Sequence, residues 1–477
     1  MIISLSVLVI TIIVSGTYAL YKTQLSKNIG VNTTTHGLAY YINYVKGTDI
    51  TAATLNPSTS YEGGASSNIE FWKKDDSYDI YGKIELTVNT IGTNLSNSPA
   101  IKYAVVNNGN VLKQGSLKGT SSGTKVTILK NLYLEQTKQI YTVYVWLDNS
   151  EELGNISNES LSISVDCTAS LQKELTAADT IISLYTSAEK VTVTNNSITY
   201  NTAPSVSLMN DRLGGTTTDL DGGNIRYYGA SPNNYIYFNC SDYSNQTSST
   251  CETWRIIGVF DGKLKLRRSA SIGSLAWDFF KNDNPSTFTN DNDWSTATLQ
   301  KLMNESYYNG IGTITYYSGK AASPVSVDLD MASIGLNSDE TRSMISEETW
   351  YLGTWDSSEI YVNQIYNYER GTTVYTGRPT IWTGKIALAY PSDHGYATDF
   401  SNCNSKICFN WLHSSIGEWL LTPANTSTGV LLSYNKSHFI TTASNLGENV
   451  RPVLYLNSEL AIKSGDGTSN NPYKLSI

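Results

Sequence analysis

The sequence predicts a mainly β protein with α+β content, in which an N-terminal antiparallel β-sandwich precedes a compact α+β domain. Three observations carry that prediction. Apolar residues alternate with period two through the first third of the chain, and Gly/Asn/Ser turns separate the short runs. Charged residues make up only 16% of the chain, while there are 33 tyrosines. An average domain carries roughly 25% charge. The hydroxyl, amide and phenol groups that replace it suit sheets whose exposed turns must satisfy backbone groups at strand ends. At 477 residues the chain exceeds what one core holds, so two or three domains are expected. A net charge of −9 argues against nucleic acid, because phosphate binding needs a basic face.

The chain begins MIISLSVLVITIIVSGTYALYKTQLSKN, and its first charge is Lys22. Residues 1–24 read as a signal peptide, with Thr17 and Ala19 in small-x-small spacing before a cut. They also read as a membrane anchor, since 20 apolar residues are about enough to span a bilayer. The usual basic stretch before the apolar run is missing, and Lys22 and Lys27 lie on the wrong side for a positive-inside anchor. Export is expected either way. Cysteine spacing agrees with it: Cys240 and Cys251 enclose SDYSNQTSST, and Cys403 and Cys408 enclose NSKI. Short polar loops between two cysteines in an exported chain read as local disulfides. Neither pair has metal-ligand spacing. Cys167 is left over, as a free thiol or an intermolecular partner.

From 28 to 167 the strands follow one another. YGKIELTV points Ile84, Leu86 and Val88 inward and Lys83, Glu85 and Thr87 outward. IKYAVVNNGNVLKQG is a hairpin turning at Asn108-Gly109, because a tight hairpin needs the positive φ that Asn-Gly supplies. TKVTIL, IYTVYVWLD and LSISV complete a sandwich pattern. Residues 168–215 read as a helix and an extended linker. LQKELTAADTIISLY places Leu171, Leu175, Ala178, Ile182 and Tyr185 on one stripe, and a Thr/Asn-rich stretch follows. In 216–477, NIRYYGA and NYIYFNC read as paired strands, and TWRIIGVFDGKLKLRR as a hairpin at Asp261-Gly262. NDWSTATLQKLMNESYY is a helix capped by Asp293 or Ser295, and SDETRSMISEETWYLG is a second helix ending at Gly353.

Two resemblances add to this reading. SGTYALYKTQLS and YTVYVWLD resemble segments of the exported camelysin and biofilm-matrix-fibre proteins of Gram-positive bacteria. That likeness implies a jelly-roll-like first domain, a secreted or surface matrix role, and strand exchange between subunits as a route to self-assembly. Beyond residue 216, Trp254 in TWRIIG, Trp294 in NDWSTATLQKLMN, Trp419 in EWLLTP, Arg451-Pro452 in VRPVLYL and the tail GDGTSNNPY resemble a C-type-lectin-like fold. The fold is that of bacterial surface domains related to the formylglycine-generating enzyme. The resemblance implies that these residues form a frame. Pro452 suits the mouth of a strand, and Arg451 has five donors with which to lock carbonyls or a carboxylate. The interval 424–449 then becomes a displayed surface. Asn425, Tyr434, Asn435, Lys436 and His438 are its candidate contacts with a glycan or protein ligand, and the same residues also read as ordinary solvated turns.

Catalytic readings find little support. The formylglycine-generating enzyme uses a cysteine pair in its site, but the close pairs here read as structural disulfides, so no catalytic role carries over. His394 beside Asp393 has the residue types for acid/base work, yet neighbours in sequence need not face each other. No Gly-x-Ser-x-Gly elbow or phosphate loop occurs, and nothing singles out two carboxylates for a carbohydrate-active enzyme. No cofactor motif stands out. For calcium, DLDGGN offers Asp219, Asp221 and Asn224 around a glycine turn but lacks a terminal Glu, and the same letters spell an ordinary turn. The readings carried forward are an exported surface or matrix protein with a ligand-binding head, a fibre-forming or pilin-like subunit, and a carbohydrate-active enzyme.

Overall fold

A computed structural model describes residues 23–25, 41–51, 55, 57–151, 153–156, 159–195, 198–213, 223–279, 291–318, 325–355, 361–400, 410–413, 416–434 and 438–476. Of the leader or anchor expected over 1–24, residues 1–22 lie outside them and 23–24 belong to the strand Thr23–Leu25; among the described residues no helix is long and apolar enough to cross a membrane. The protein is mainly β with mostly antiparallel sheets, and it divides into two compact units, Met1–Glu174 and Leu175–Ile477.

In the first unit, one sheet runs in the order Thr23–Leu25, Leu161–Ser170, Tyr81–Ile91, Lys125–Tyr133. The other runs Ile42–Val45, Ala65–Lys73, Ile140–Asp148, Ile101–Asn107, Asn110–Ser116. The expected alternation is present: Gly82, Ile84, Leu86 and Val88 are buried, and the residues between them are half-buried. Side chains from both sheets merge into a single apolar cluster. Ile84, Leu86 and Val165 come from one sheet and Ile69, Phe71, Val105, Val143 and Val145 from the other, each at most 1% exposed. Burial at that level contributes about 1.5–3 kcal/mol per large side chain, so this shared apolar cluster is what holds the unit together. The hairpin turns at Asn108 and Gly109, whose φ values of 49° and 77° give the left-handed pair that matches strand twist. Cys167 is a fully buried thiol on Leu161–Ser170, and burial pushes its pKa well above the ordinary range. A thiol held protonated in this way is inert.

The second unit takes in the segment expected as helix and linker. The helix is Ala177–Ser187, shorter than its apolar stripe suggested, because a capping box between Thr176 and Asp179 fixes its start. Leu175 therefore falls outside it and is 54% exposed, while Ala178, Ile181 and Tyr185 face the core. The expected linker instead forms strands Val191–Asn195, Ile198–Ala203 and Leu208–Asn210. They open a ten-stranded sheet that continues through Ile225–Tyr227, Glu252–Phe260, Lys263–Arg268, Val453–Leu456 and Ile345–Ser346. Ile225–Tyr227 and Tyr235–Phe238 do not pair with each other, since both pair with Glu252–Phe260. That strand turns at Asp261-Gly262, with φ 47° and 72°, into Lys263–Arg268.

Two helix expectations change. Asp293 caps a turn through Ser295, and the helix Thr298–Leu302 is capped from outside, where Asp278 Oδ1 accepts from Thr298 N at 3.0 Å. The segment expected to be one helix ending at Gly353 is helical only over Asp339–Ser343. Strands Ile345–Ser346 and Glu348–Tyr351 follow, because sheet partners at Leu456 and Tyr455, and at Ile381–Gly384, are available to them. A five-stranded sheet, ordered Ser274–Ala276, Gly447–Asn449, Glu418–Pro423, Gly429–Tyr434, His438–Ala443, completes the unit.

Candidate functional site

The candidate site lies on the five-stranded sheet, and its foundation is electrostatic. Glu418 begins the strand Glu418–Pro423, and its side chain is 1% exposed. Arg267 Nε donates to Glu418 Oε1 at 2.9 Å and its Nη2 to Oε2, while Arg451 Nη1 donates to the same Oε2 at 2.6 Å. Arg451 Nε also reaches the carbonyl of Ser269 at 3.1 Å. Arg451 thus locks one carboxylate and one loop carbonyl. Pro452 is buried just before Val453–Leu456, where a missing N–H breaks no ladder, and its carbonyl accepts from Arg268 N at 3.0 Å.

The three tryptophans are all core residues. Trp254 is 0% exposed, donates to Glu252 Oε2 at 3.0 Å and packs edge-on to Phe238. Trp419 is 0% exposed and donates to Leu275 O at 2.8 Å, tying two strands of the sheet together. Trp294, 1% exposed, packs between Trp277 and Trp382 at centroid distances of 5.0 and 6.1 Å.

Beside this frame lies a second ionic chain that the sequence did not reveal. Arg226 bridges Asp211 at 2.5 Å and Asp393 at 3.0 Å, and Lys265 Nζ sits 2.5 Å from Asp393. All four side chains are at most 1% exposed. Burial pulls the Lys265 pKa down to about 8, with Asp393 opposing the fall. Burial pushes Asp393 up, but Lys265 and Arg226 outweigh it and hold the carboxyl below its ordinary range. Nearby, burial raises Glu369 to about 7 against the pull of Arg370, and its carboxylate accepts from Ser392 N and Oγ at 2.8 and 2.5 Å. These buried charges are paired and hydrogen-bonded, as the cost of desolvation demands.

His394 and Asp393 do not form a catalytic dyad. Asp393 is committed to Arg226, Lys265 and the Tyr390 amide, and neither ring nitrogen of His394 has a hydrogen-bond partner. Burial, with Arg267 nearby, lowers the His394 pKa to about 3, so the ring stays neutral.

The candidate contact residues separate. Tyr434 is 45% exposed at the end of Gly429–Tyr434, in register with the backbone of His438. Asn425 is exposed in the turn at the other end of that strand. Five residue steps separate those ends, roughly 17 Å, so the structure does not bring Asn425 to Tyr434. Asn435 and Lys436 lie outside the described residues, as do Cys403, Cys408, Asp219 and Asp221. Cys240 and Cys251 are joined in a disulfide. Asn224, the remaining member of the calcium candidate, gives its backbone N and Nδ2 to Asp211 at 2.8 and 2.9 Å. Among the described residues no three His, Cys, Asp or Glu side chains cluster as a metal site.

No protein-family model matches the chain, and no curated protein sequence matches it. Among solved structures, a crystal structure of an HCR/D mutant is 13% identical over 54% of this chain and 76% of that one, with a TM-score of 0.15. A quasi-atomic model of the PBCV-1 virus capsid is 11% identical over 93% and 89%, also with a TM-score of 0.15. At these scores neither likeness defines the fold.

Proposed function

We propose that the chain is an exported bacterial surface or matrix protein whose second unit is a C-type-lectin-like head that binds a glycan or protein ligand through the 424–449 segment. In this reading the first unit is a jelly-roll-like stalk related to the camelysin and matrix-fibre proteins. One observation carries the reading: burial switches sharply along a single segment above a locked base. Residues 429–433 are buried, whereas Asn425, Tyr434, Ile440 and Thr441 are exposed, and the neighbouring strand is clamped by Glu418, Arg267 and Arg451. A rigid base under exposed amide, phenol and aliphatic groups lowers the ordering cost of binding. The Cys240–Cys251 bond supports an oxidising compartment. The test is a glycan and protein array probed with the full chain, with and without EDTA. A ligand should appear whose binding weakens in Tyr434→Ala or Asn425→Ala; binding indifferent to both substitutions would remove the proposal.

A second reading, a fibre-forming subunit, draws on the strand Thr23–Leu25. It adds to the sheet by pairing antiparallel with residues 167–169, and such an added strand is the kind that can be supplied by another copy. Purified protein that polymerises, and stops doing so when residues 23–25 are deleted, would favour it.

A further inference from the structure

Lys265 stands where a lysine is seldom found. Its side chain is 0% exposed and that of its partner Asp393 is 1%, whereas every other lysine–acid pair among the described residues keeps at least one side chain 14% exposed or more. Four aromatic rings wall in the ammonium: the centroids of Tyr390, Phe260, Tyr455 and Trp350 lie 4.7, 5.2, 5.5 and 5.7 Å from Nζ. Both partners are held by regular backbone. Lys265 sits in the strand Lys263–Arg268, paired with Gly258 on one side and Tyr455 on the other. Asp393 sits in the helix Pro391–Tyr396, and its Oδ2 accepts from Tyr390 N at 2.9 Å.

The two oxygens of Asp393 have different neighbours. Oδ2 faces Lys265 Nζ at 2.5 Å, and Oδ1 accepts from Arg226 Nη1 at 3.0 Å. A nitrogen nucleophile therefore lies against one oxygen while a fixed cation holds the other, where charge would develop if Cγ were attacked. The charges also balance. Arg226 has a second anion, Asp211, at 2.5 Å. Removing Lys265 and Asp393 together as one neutral group leaves Arg226 and Asp211 matched, with no orphaned charge. A buried ion pair bears a desolvation cost that neutral groups of similar volume escape, so the neutral product is favoured in this setting.

We propose that Lys265 and Asp393 condense in the folded protein to an intramolecular amide between Nζ and Cγ, which ties the central sheet to the helix across 128 residues of chain. The step needs no co-reactant. One proton passes from Nζ to Oδ2 along their hydrogen bond, helped by surroundings that disfavour the charged pair. The freed lone pair attacks Cγ, and Arg226 stabilises the charge on Oδ1. A second proton follows to Oδ2, the Cγ–Oδ2 bond breaks, and Oδ2 leaves as water. Of the three ammonium protons, two depart in that water and one stays on the amide nitrogen. Fixed approach on two rigid elements supplies what the same condensation lacks between free groups in water. The inference is independent of the ligand-binding reading.

The test is intact-mass spectrometry of the full chain under reducing, denaturing conditions, with peptide mapping. The native chain should be one water lighter than its termini predict, and the peptides bearing Lys265 and Asp393 should appear joined as one branched species. Lys265→Arg keeps the cation but cannot form the amide, so it should show its full mass and run behind the native chain on a denaturing gel. The native measurement stands whether or not that variant folds. A native chain still at full mass after prolonged incubation at neutral pH would overturn the inference. So would a lost water that maps to other residues, or one that persists in Lys265→Arg and so marks a cyclic imide at an aspartate.

Discussion

Replacing Glu418 by Gln removes one negative charge and keeps the side chain's shape. In the native protein that charge is shared by Arg267 and Arg451, whose side chains are 6% and 15% exposed. Their other hydrogen bonds among the described residues go to neutral carbonyls, of Leu412 at 3.3 Å and Ser269 at 3.1 Å. The substitution therefore leaves two guanidiniums in a poorly hydrated site with no counter-charge. Removing one partner of a buried ion pair typically costs about 3–5 kcal/mol. For a unit at or above the upper end of domain sizes, each kcal/mol moves Tm by about 2 °C, so the transition of the second unit should fall by about 6–10 °C. Calorimetry of the full chain, with near-UV dichroism to follow the tryptophan environment, reads this directly. Substituting Gln for Arg451 as well should recover part of the loss, since one orphaned charge goes with it. A loss below about 1 kcal/mol, the level of a solvated surface pair, would refute the claim that this triad is a buried lock.

The other predictions follow from the same structure. Trp419→Ala should destabilise the second unit by about 3–5 kcal/mol, measured by urea unfolding, because the ring is 0% exposed and its N–H is bonded to Leu275 O. Tyr434→Ala should leave melting within about 0.5 kcal/mol of wild type while weakening binding to any ligand of the 424–449 face. Burial raises the Asp278 carboxyl to about 7, above its unfolded value of about 3.9. The folded state therefore keeps this proton longer, and the stability it contributes is full below pH 4 and lost as pH rises through 7. Asp278→Asn, compared with wild type by denaturation at pH 4 and pH 8, should be relatively more stable at pH 8. Reducing Cys240–Cys251, with a sequence separation of 11, should cost about 2–3 kcal/mol by loop entropy, read as a lower urea midpoint.

Local chemistry made part of this fold legible. Asn108-Gly109 and Asp261-Gly262 announce their hairpins because positive φ is cheap there, and Ile84, Leu86 and Val88 declare an inward face by spacing alone. Tertiary pairing decided the rest. Residues 345–351 have the letters of a helix, but Ile345–Ser346 and Glu348–Tyr351 each gain a sheet partner. The Thr/Asn-rich 191–210 stretch looks like a linker until it pairs with itself and with Ile225–Tyr227. Arg451 as a lock and Trp419 as a buried pin were readable as residue types. The ionic chain was not. Lys265 and Arg267 alternate with Leu264 and Leu266 on a strand buried on both faces, and their carboxylate partners lie 128 and 151 residues away. Spacing cannot link a cation to an acid at that distance. What was visible were four cations in KLKLRR with Asp261 the only acid close by, and the mutual approach of their distant partners exists only in the folded chain.

The most direct test of a locked base presenting the 424–449 face is a hydrogen-exchange footprint of the full chain, taken with and without a ligand identified on the array. Slowed exchange at the amides of 425–429 and 438–441, with the amides of the Glu418–Pro423 strand already protected in the free protein, is the predicted result. Protection confined to the first unit, or to faces of the second unit remote from these residues, would contradict it.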